Sequence, residues 1–381
     1  MVTRRAGVAA VVLALAAVAG ACTAIPGSTT TLAGVTQFDA GGTSACAVVA
    51  GGHVRCWGAD DEGQLGNAAL VPFIPTWSSL AVEVTGVSGA TQVDVSGYLS
   101  CALISDGTIK CWGWNREGEL GNGEMYDRSY TPTSVVGITN AIQVSGSCAL
   151  LSSGHVKCWG YHGTLGNGST MDSAVPVDVT GITDAVQITV GPCARLADGS
   201  VKCWGGNYWG QLGDGTNVDS LLPVPVVGIS GALELSGDAT SHCVLMPGGT
   251  IKCWGINQFG GLGDGTMTDR NSPVDVVGIS GAVHVVAMNQ DTCALFPGGT
   301  AKCWGANQYG NLGNGSTAYS SLIPVDVVGL SGITALSGTE HRLCALLAGG
   351  TVKCWGSNDR GGLGDGSTND SLHPVTVLRP T

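Results

Sequence analysis

Cys101-Ala102-Leu103-Ile104-Ser105-Asp106-Gly107-Thr108-Ile109-Lys110-Cys111-Trp112-Gly113 holds two apolar stretches around a Ser-Asp-Gly turn, and its reading decides the fold. A three-residue hairpin ending in Gly107, which accepts positive φ, makes Ile104 face Thr108 and Leu103 face Ile109. Cys101 then lies opposite Cys111, with Cα atoms expected about 4.5 to 5.5 Å apart, a separation that a disulfide accepts. The segment recurs: Cys-Trp-Gly stands at Cys56, Cys111, Cys158, Cys203, Cys253, Cys303 and Cys354, 45 to 55 residues apart. Each unit opens on a strand-like stretch such as Ala90-Thr91-Gln92-Val93. It continues through the Cys hairpin and a Leu-Gly-Asp-Gly turn to a Pro-Val-x-Val stretch. Four short extended pieces per period of about 50, punctuated by Gly and Pro, describe a propeller blade better than a helical solenoid. The expectation is all-β: a seven-bladed β-propeller of four-stranded blades over residues 35–381, with Pro374-Val375-Thr376-Val377 as a candidate latch onto the first unit.

The 15 cysteines resolve into Cys22 and seven pairs ten positions apart: Cys46/Cys56, Cys101/Cys111, Cys148/Cys158, Cys193/Cys203, Cys243/Cys253, Cys293/Cys303 and Cys344/Cys354. Zinc sites use shorter Cys spacings, and no His recurs beside these pairs, so one cross-strand disulfide per blade is expected and no metal. Each bond closes a loop of about 11 residues, worth roughly 2.5 to 3 kcal/mol by chain entropy. Seven such bonds require an oxidising compartment.

Residues 1–21 point to the same compartment independently. Arg4 and Arg5 precede an uncharged run from Ala6 to Ala21, the form of a secretory signal. Ala19-Gly20-Ala21-Cys22 resembles a bacterial lipobox, which makes Cys22 the expected lipidated N-terminus and residues 22–34 its tether. Ordinary secretion is the alternative. The expected place is the cell envelope or the extracellular medium, with membrane contact only through that lipid. No later stretch is long and apolar enough to span a bilayer.

Composition excludes other classes. With 16 Lys+Arg against 28 Asp+Glu, a net charge of -12 and no basic cluster, the chain lacks the electrostatic footprint of a nucleic-acid binder. Gly at 62 of 381 residues, with no collagen period, makes long helices improbable, and 44% hydrophobic residues are too many for disorder.

The consensus Cys-Ala-Leu-x-x-Gly-Gly-Thr-x-Lys-Cys-Trp-Gly-x-Asn-x-x-Gly-x-Leu-Gly-Asp-Gly-Thr resembles the regulator of chromosome condensation repeat over nearly all of Val35 to Leu378. Its core motif stands at Trp112–Gly121, Trp204–Gly213, Trp254–Gly263, Trp304–Gly313 and Trp355–Gly364. The first unit has Asp60 at the Asn position, and the third is two residues shorter there. The resemblance implies a seven-bladed propeller and no single activity. Nuclear members exchange nucleotide on a small GTPase, a role that an exported, acidic, disulfide-paired chain does not suit. An exported bacterial member that inhibits β-lactamase through one face is the nearer analogy.

Repeated residues read as scaffold. The seven Trp are expected between blades, where each ring buries about 150 to 250 Å². The Lys before each Cys (Lys110, Lys157, Lys202, Lys252, Lys302, Lys353) are expected at blade edges. Asp214/Asp219, Asp264/Asp269 and Asp365/Asp370 fit turn chemistry better than a calcium loop. His residues are scattered and no catalytic motif occurs, so no catalytic residue and no cofactor are expected. What varies between units gathers after Cys-Trp-Gly: Trp114, Arg116, Tyr161, Tyr208, Trp209, Phe259, Tyr309 and Arg360. Trp, Tyr and Arg anchor interfaces, so these residues are the candidate partner-binding set. A second candidate rim precedes the first Cys of each pair and includes Tyr98, His242, Asp291 and Glu340. The expected function is a monomeric binding scaffold for a protein or cell-envelope polymer. The alternatives are a hydrolase or lyase acting on polysaccharide with channel carboxylates, and an enzyme-inhibitor-like propeller.

Overall fold

The computed structural model describes residues 28–68, 76–339 and 341–381. The signal segment, Cys22, the start of the tether and Glu340 lie outside the described residues. Seven four-stranded antiparallel sheets follow one another along the chain, each built from consecutive strands. Blade 1 runs from Val35–Gly41 through Ser44–Val49 and His53–Ala59 to Trp77–Glu83. Blade 2 repeats the order from Ala90–Ser96 to Ser129–Ser134. Blade 7 occupies Ile333–Thr339 to Ser371–Thr376.

The hairpin has the expected register. Ile104 N–H donates to Thr108 O at 2.9 Å, Gly107 takes φ 82°, Leu103 pairs with Ile109 and Cys101 with Cys111. Because paired residues alternate between two kinds along an antiparallel ladder, the Cys pair falls on the closer, non-hydrogen-bonded kind. All seven disulfides are formed, with Cα atoms 4.0 to 4.1 Å apart.

The hydrophobic core lies between blades. One cluster joins Val48, Val54 and Leu65 of blade 1 to Val93, Ala102 and Trp112 of blade 2, and the same pairing repeats around the ring. Each Cys-Trp-Gly indole is buried and donates Nε1–H to a carbonyl of the preceding blade at 2.7 to 3.0 Å, as Trp112 does to Gln64 O and Trp57 to Gly362 O. On the channel side, glutamine amides imitate a strand edge. Gln37 Nε2 donates to Val93 O at 3.0 Å while Val93 N–H donates to Gln37 Oε1 at 2.7 Å. Gln92, Gln143 and Gln187 repeat the pair with the next blade. Backbone groups that an exposed inner edge would leave unpaired are satisfied in this way.

Ring closure differs from the expected latch. Pro374-Val375-Thr376 stays within blade 7, where Val375 pairs with Cys354. Closure comes instead from a two-stranded ribbon in which Thr29–Thr31 pairs with Leu378–Pro380. Leu32 is fully buried beneath it and donates its N–H to Val377 O at 2.9 Å. Every blade already holds four strands, so only the flanking tails remain to bridge the first and last blades. The packed body therefore starts at Thr29, ahead of Val35. The β-branched Thr29-Thr30-Thr31 reads as polar tether in sequence because all three side chains are exposed.

Candidate binding face

In an antiparallel blade, the turn between the first and second strands and the loop between the third and fourth strands emerge at the same end. The two candidate rims are therefore one face. Ring contacts join them: Tyr98 lies 6.4 Å from Trp114, and Tyr309 lies 4.9 Å from His341. The mouth of the central channel opens here, lined by the innermost strands and by Tyr309 and His341.

A buried asparagine builds each long loop. Asn207 Oδ1 accepts Leu212 N–H at 2.9 Å, its Nδ2 donates to Thr216 O and Val218 O at 3.1 Å, and its own N–H donates to Asp219 at 2.7 Å. Asn257 with Asp269 and Asn358 with Asp370 repeat the arrangement. The recurrent aspartates thus hold loops, and no group of three or more metal-binding side chains occurs among the described residues. Asp60 replaces the asparagine in blade 1 and accepts Leu65 N–H at 2.9 Å; burial pushes its carboxyl up to about 6. Lys157 binds Asp178 and Lys252 binds Asp275 of the outer strand at 2.7 Å, while Lys110 and Lys202 donate to the turn carbonyls of Gly86 and Gly181, which are edge roles.

The loops present the candidate residues individually. Tyr208 stands exposed with its ring edge-on to Trp209 at 4.6 Å. Tyr161 is exposed against His162, and Phe259 packs 5.6 Å from Tyr319. Trp114 is half-buried with Nε1 on Glu117, and Arg116 is exposed. Arg360 is engaged by Asp61 across the junction of blades 7 and 1, which gives it a structural role. His242, from the second rim, is buried against Trp254 with Nε2–H on Gly191 O, and burial pushes its imidazole down to about 4. Two further tyrosines were not singled out from the sequence. Tyr126 donates its N–H to Asn115 O, and Tyr319 O accepts from Asn307 N–H. Tyr319 sits twelve residues after its Asn, where Asp219 follows Asn207, so counting from the asparagine would have found it. Every tyrosine at least half exposed among the described residues (Tyr98, Tyr126, Tyr161, Tyr208, Tyr319) belongs to this face.

The channel cavity measures about 1140 Å³. Two of its carboxylates are used by the scaffold: Asp39 accepts Val95 N–H at 2.8 Å and the Ser337 hydroxyl at 2.6 Å, and Asp94 accepts Gly146 N–H at 2.7 Å. Burial, and then the charge of Asp39, pushes Asp94 up to about 8. Beside the mouth, a smaller cleft of about 240 Å³ is lined by Tyr98, Trp114, Tyr161, Glu119 and Thr189.

Two family models described as Regulator of chromosome condensation (RCC1) repeat match the chain, one over residues 198–236 and 300–344, the other over 35–64. Among curated proteins, the Ultraviolet-B receptor UVR8 of Arabidopsis thaliana is 32% identical over 97 residues, 24% of this chain and 20% of the receptor. RCC1 domain-containing protein 1 of Mus musculus is 34% identical over 84 residues, 22% of each chain. The matched segments thus span about a fifth of these relatives. Among solved structures, human WBSCR16 superposes with a TM-score of 0.74 at 18% identity, covering 85% of this chain and 93% of that one. Prp20p from Saccharomyces cerevisiae gives 0.56 at 18% identity, over 89% and 76%. These likenesses show the fold. Seven copies of the sequence unit fold as seven blades, and the chain carries regulator of chromosome condensation repeats.

Proposed function

We propose that this chain is an exported, lipid-anchored, non-catalytic scaffold that docks a partner protein on its aromatic face. The observation that carries the reading is the gathering of every half-exposed tyrosine, with Trp114 and Trp209, at one end of the ring. Aromatic anchors on rigid loops lose little entropy on binding. The Prp20p structure is described together with its binding to Gsp1p and histones, so a propeller of this fold serves as a protein-binding platform there. Export and the lipid on Cys22 rest on residues 1–22 and on the seven disulfides.

A photo-crosslinker at Tyr208 captures the partner in the native envelope, one at Val227 on the opposite end does not, and Trp209→Ala with Phe259→Ala abolishes capture. Equal labelling from both ends overturns the docking face. Cys22→Ala releases the protein from the membrane fraction and stops incorporation of labelled palmitate; unchanged incorporation overturns the anchor.

A further inference from the structure

The end of the ring opposite the aromatic face carries the hairpin turns between second and third strands and the connections from one blade to the next. Five aliphatic side chains there, Val227, Leu233, Val277, Val283 and Val328, are 41 to 57% exposed. They stand on three successive connections, 226–233, 276–283 and 327–332, which lead from blade 4 through to blade 7. The scaffold does not require them. The repeat position of Val227, Val277 and Val328 is taken by Thr85 and Thr180 in other connections, and that of Leu233 and Val283 by Thr91 and Thr334. Exposed apolar groups gathered in this way mark an interaction surface.

Charge divides this end in two. The three connections and the turns of blades 5, 6 and 7, at 246–250, 297–299 and 348–350, contain no charged residue. At the ends of the outer strands, Asp275 and Asp326 are taken up by Lys252 and Lys302 at 2.7 and 2.6 Å, and Glu234 faces His284 at 3.4 Å. On the other side of the ring, Asp106 and Asp198 stand exposed in the turns of blades 2 and 4, and Asp184 in the connection between blades 3 and 4.

The tail of the chain indicates what covers the uncharged half. The Thr29–Thr31 strand enters between blades 7 and 1, and the segment after it is tied to turns at this same end. Val35 N–H donates to Gly350 O at 3.1 Å, and Ala50 N–H donates to Gly34 O at 3.0 Å. Gly350 belongs to the blade 7 turn, at the border of the uncharged half. Cys22 stands seven positions ahead of Thr29, a reach of at most about 25 Å for an extended chain. A lipid on Cys22 therefore brings a bilayer to this end. Held that close, a weak apolar contact acts at high effective concentration and suffices to orient the body. Aliphatic side chains gain by leaving water, and the side bearing Asp106, Asp184 and Asp198 is kept off an anionic surface.

We infer that the uncharged half of this end, around Val277, rests on the bilayer that holds the Cys22 lipid, so that the aromatic face points away from the membrane. This rests on the lipid anchor proposed above and adds to it a contact made by the folded body. The test reconstitutes the full lipid-bearing chain in vesicles of phosphatidylethanolamine and phosphatidylglycerol with brominated acyl chains. A nitrobenzoxadiazole label is placed on Val277→Cys, Asp106→Cys or Tyr208→Cys, all exposed positions, after the disulfides have formed. The label at position 277 shifts to the blue and is quenched, the one at 106 is quenched less, and the one at 208 neither shifts nor is quenched. Leu233→Asp with Val328→Asp, also at exposed positions, abolishes the quenching at 277 and leaves palmitate incorporation unchanged. Palmitate-bearing protein without quenching at 277, with equal quenching at 277 and 208, or with undiminished quenching in the double aspartate variant overturns the membrane contact and leaves the anchor standing. Protein that takes up no palmitate overturns the anchor and this contact with it.

Discussion

Two glycines separate packing from backbone conformation in the blade seam. Gly213 and Gly228 have nearly equal positive φ, 65° and 70°. A Cβ on Gly213 would lie 2.7 Å from Trp254 Nε1 and 3.0 Å from Val226 Cγ1, whereas a Cβ on Gly228 would have nothing within 4 Å. Alanine at either site carries the left-handed backbone cost of about 1–2 kcal/mol, partly offset by lower entropy of the unfolded chain. Both effects cancel in the comparison. At Gly213 overpacking adds about 1–3 kcal/mol. Displacing the buried indole also breaks its 3.0 Å bond to Gln211 O, and the groups left unpaired cost about 1–3 kcal/mol. Gly213→Ala should therefore lose about 2–6 kcal/mol more than Gly228→Ala, a large part of the roughly 5–15 kcal/mol available to a folded protein. Urea unfolding with disulfides intact reads the difference as a shift in midpoint at constant slope. Losses equal within about 0.5 kcal/mol would refute the claim that the Leu-Gly turn is glycine because the neighbouring blade's tryptophan fills the space.

Stability should fall as pH rises. Asp94, Glu119 and Asp60 are pushed up to about 8, 7 and 6 from 3.8, 4.5 and 3.8. The native state therefore holds more protons than the unfolded chain between those values, and stability is lost as pH rises through the folded pKa values. Asp94 alone contributes a slope approaching about 1.4 kcal/mol per pH unit between about pH 5 and 7. Asp94→Asn, which keeps the oxygen facing Gly146 N–H, should flatten that part of the profile; urea midpoints that rise with pH, or an unchanged slope in the variant, contradict this. Deleting residues 378–381 removes the closing ribbon and uncovers Leu32, a side chain whose burial is worth about 1.5–3 kcal/mol. An undiminished urea midpoint would show that the tails do not hold the ring closed.

The sequence by itself determined the blade count, the strand order within a blade and the disulfide pairs. Those features are local: a ten-residue Cys spacing around a Gly turn leaves one register, and seven copies leave one repetition. The scaffold roles of Trp and Lys followed from their symmetry. Tertiary structure decided what depends on distant segments meeting. Thr29–Thr31 finds Leu378–Pro380 from the opposite end of the described chain, a pairing without a periodic signal. Arg360, indistinguishable in sequence from a free surface base, is held by Asp61 of the first blade. The two candidate rims become one face only because the chain reverses once between them, at the Cys hairpin, and the cleft among Tyr98, Trp114 and Tyr161 exists only because neighbouring blades are set side by side. Repetition specifies a blade from short-range pattern, whereas a site assembled from the differences between blades is specified by the ring that brings them together.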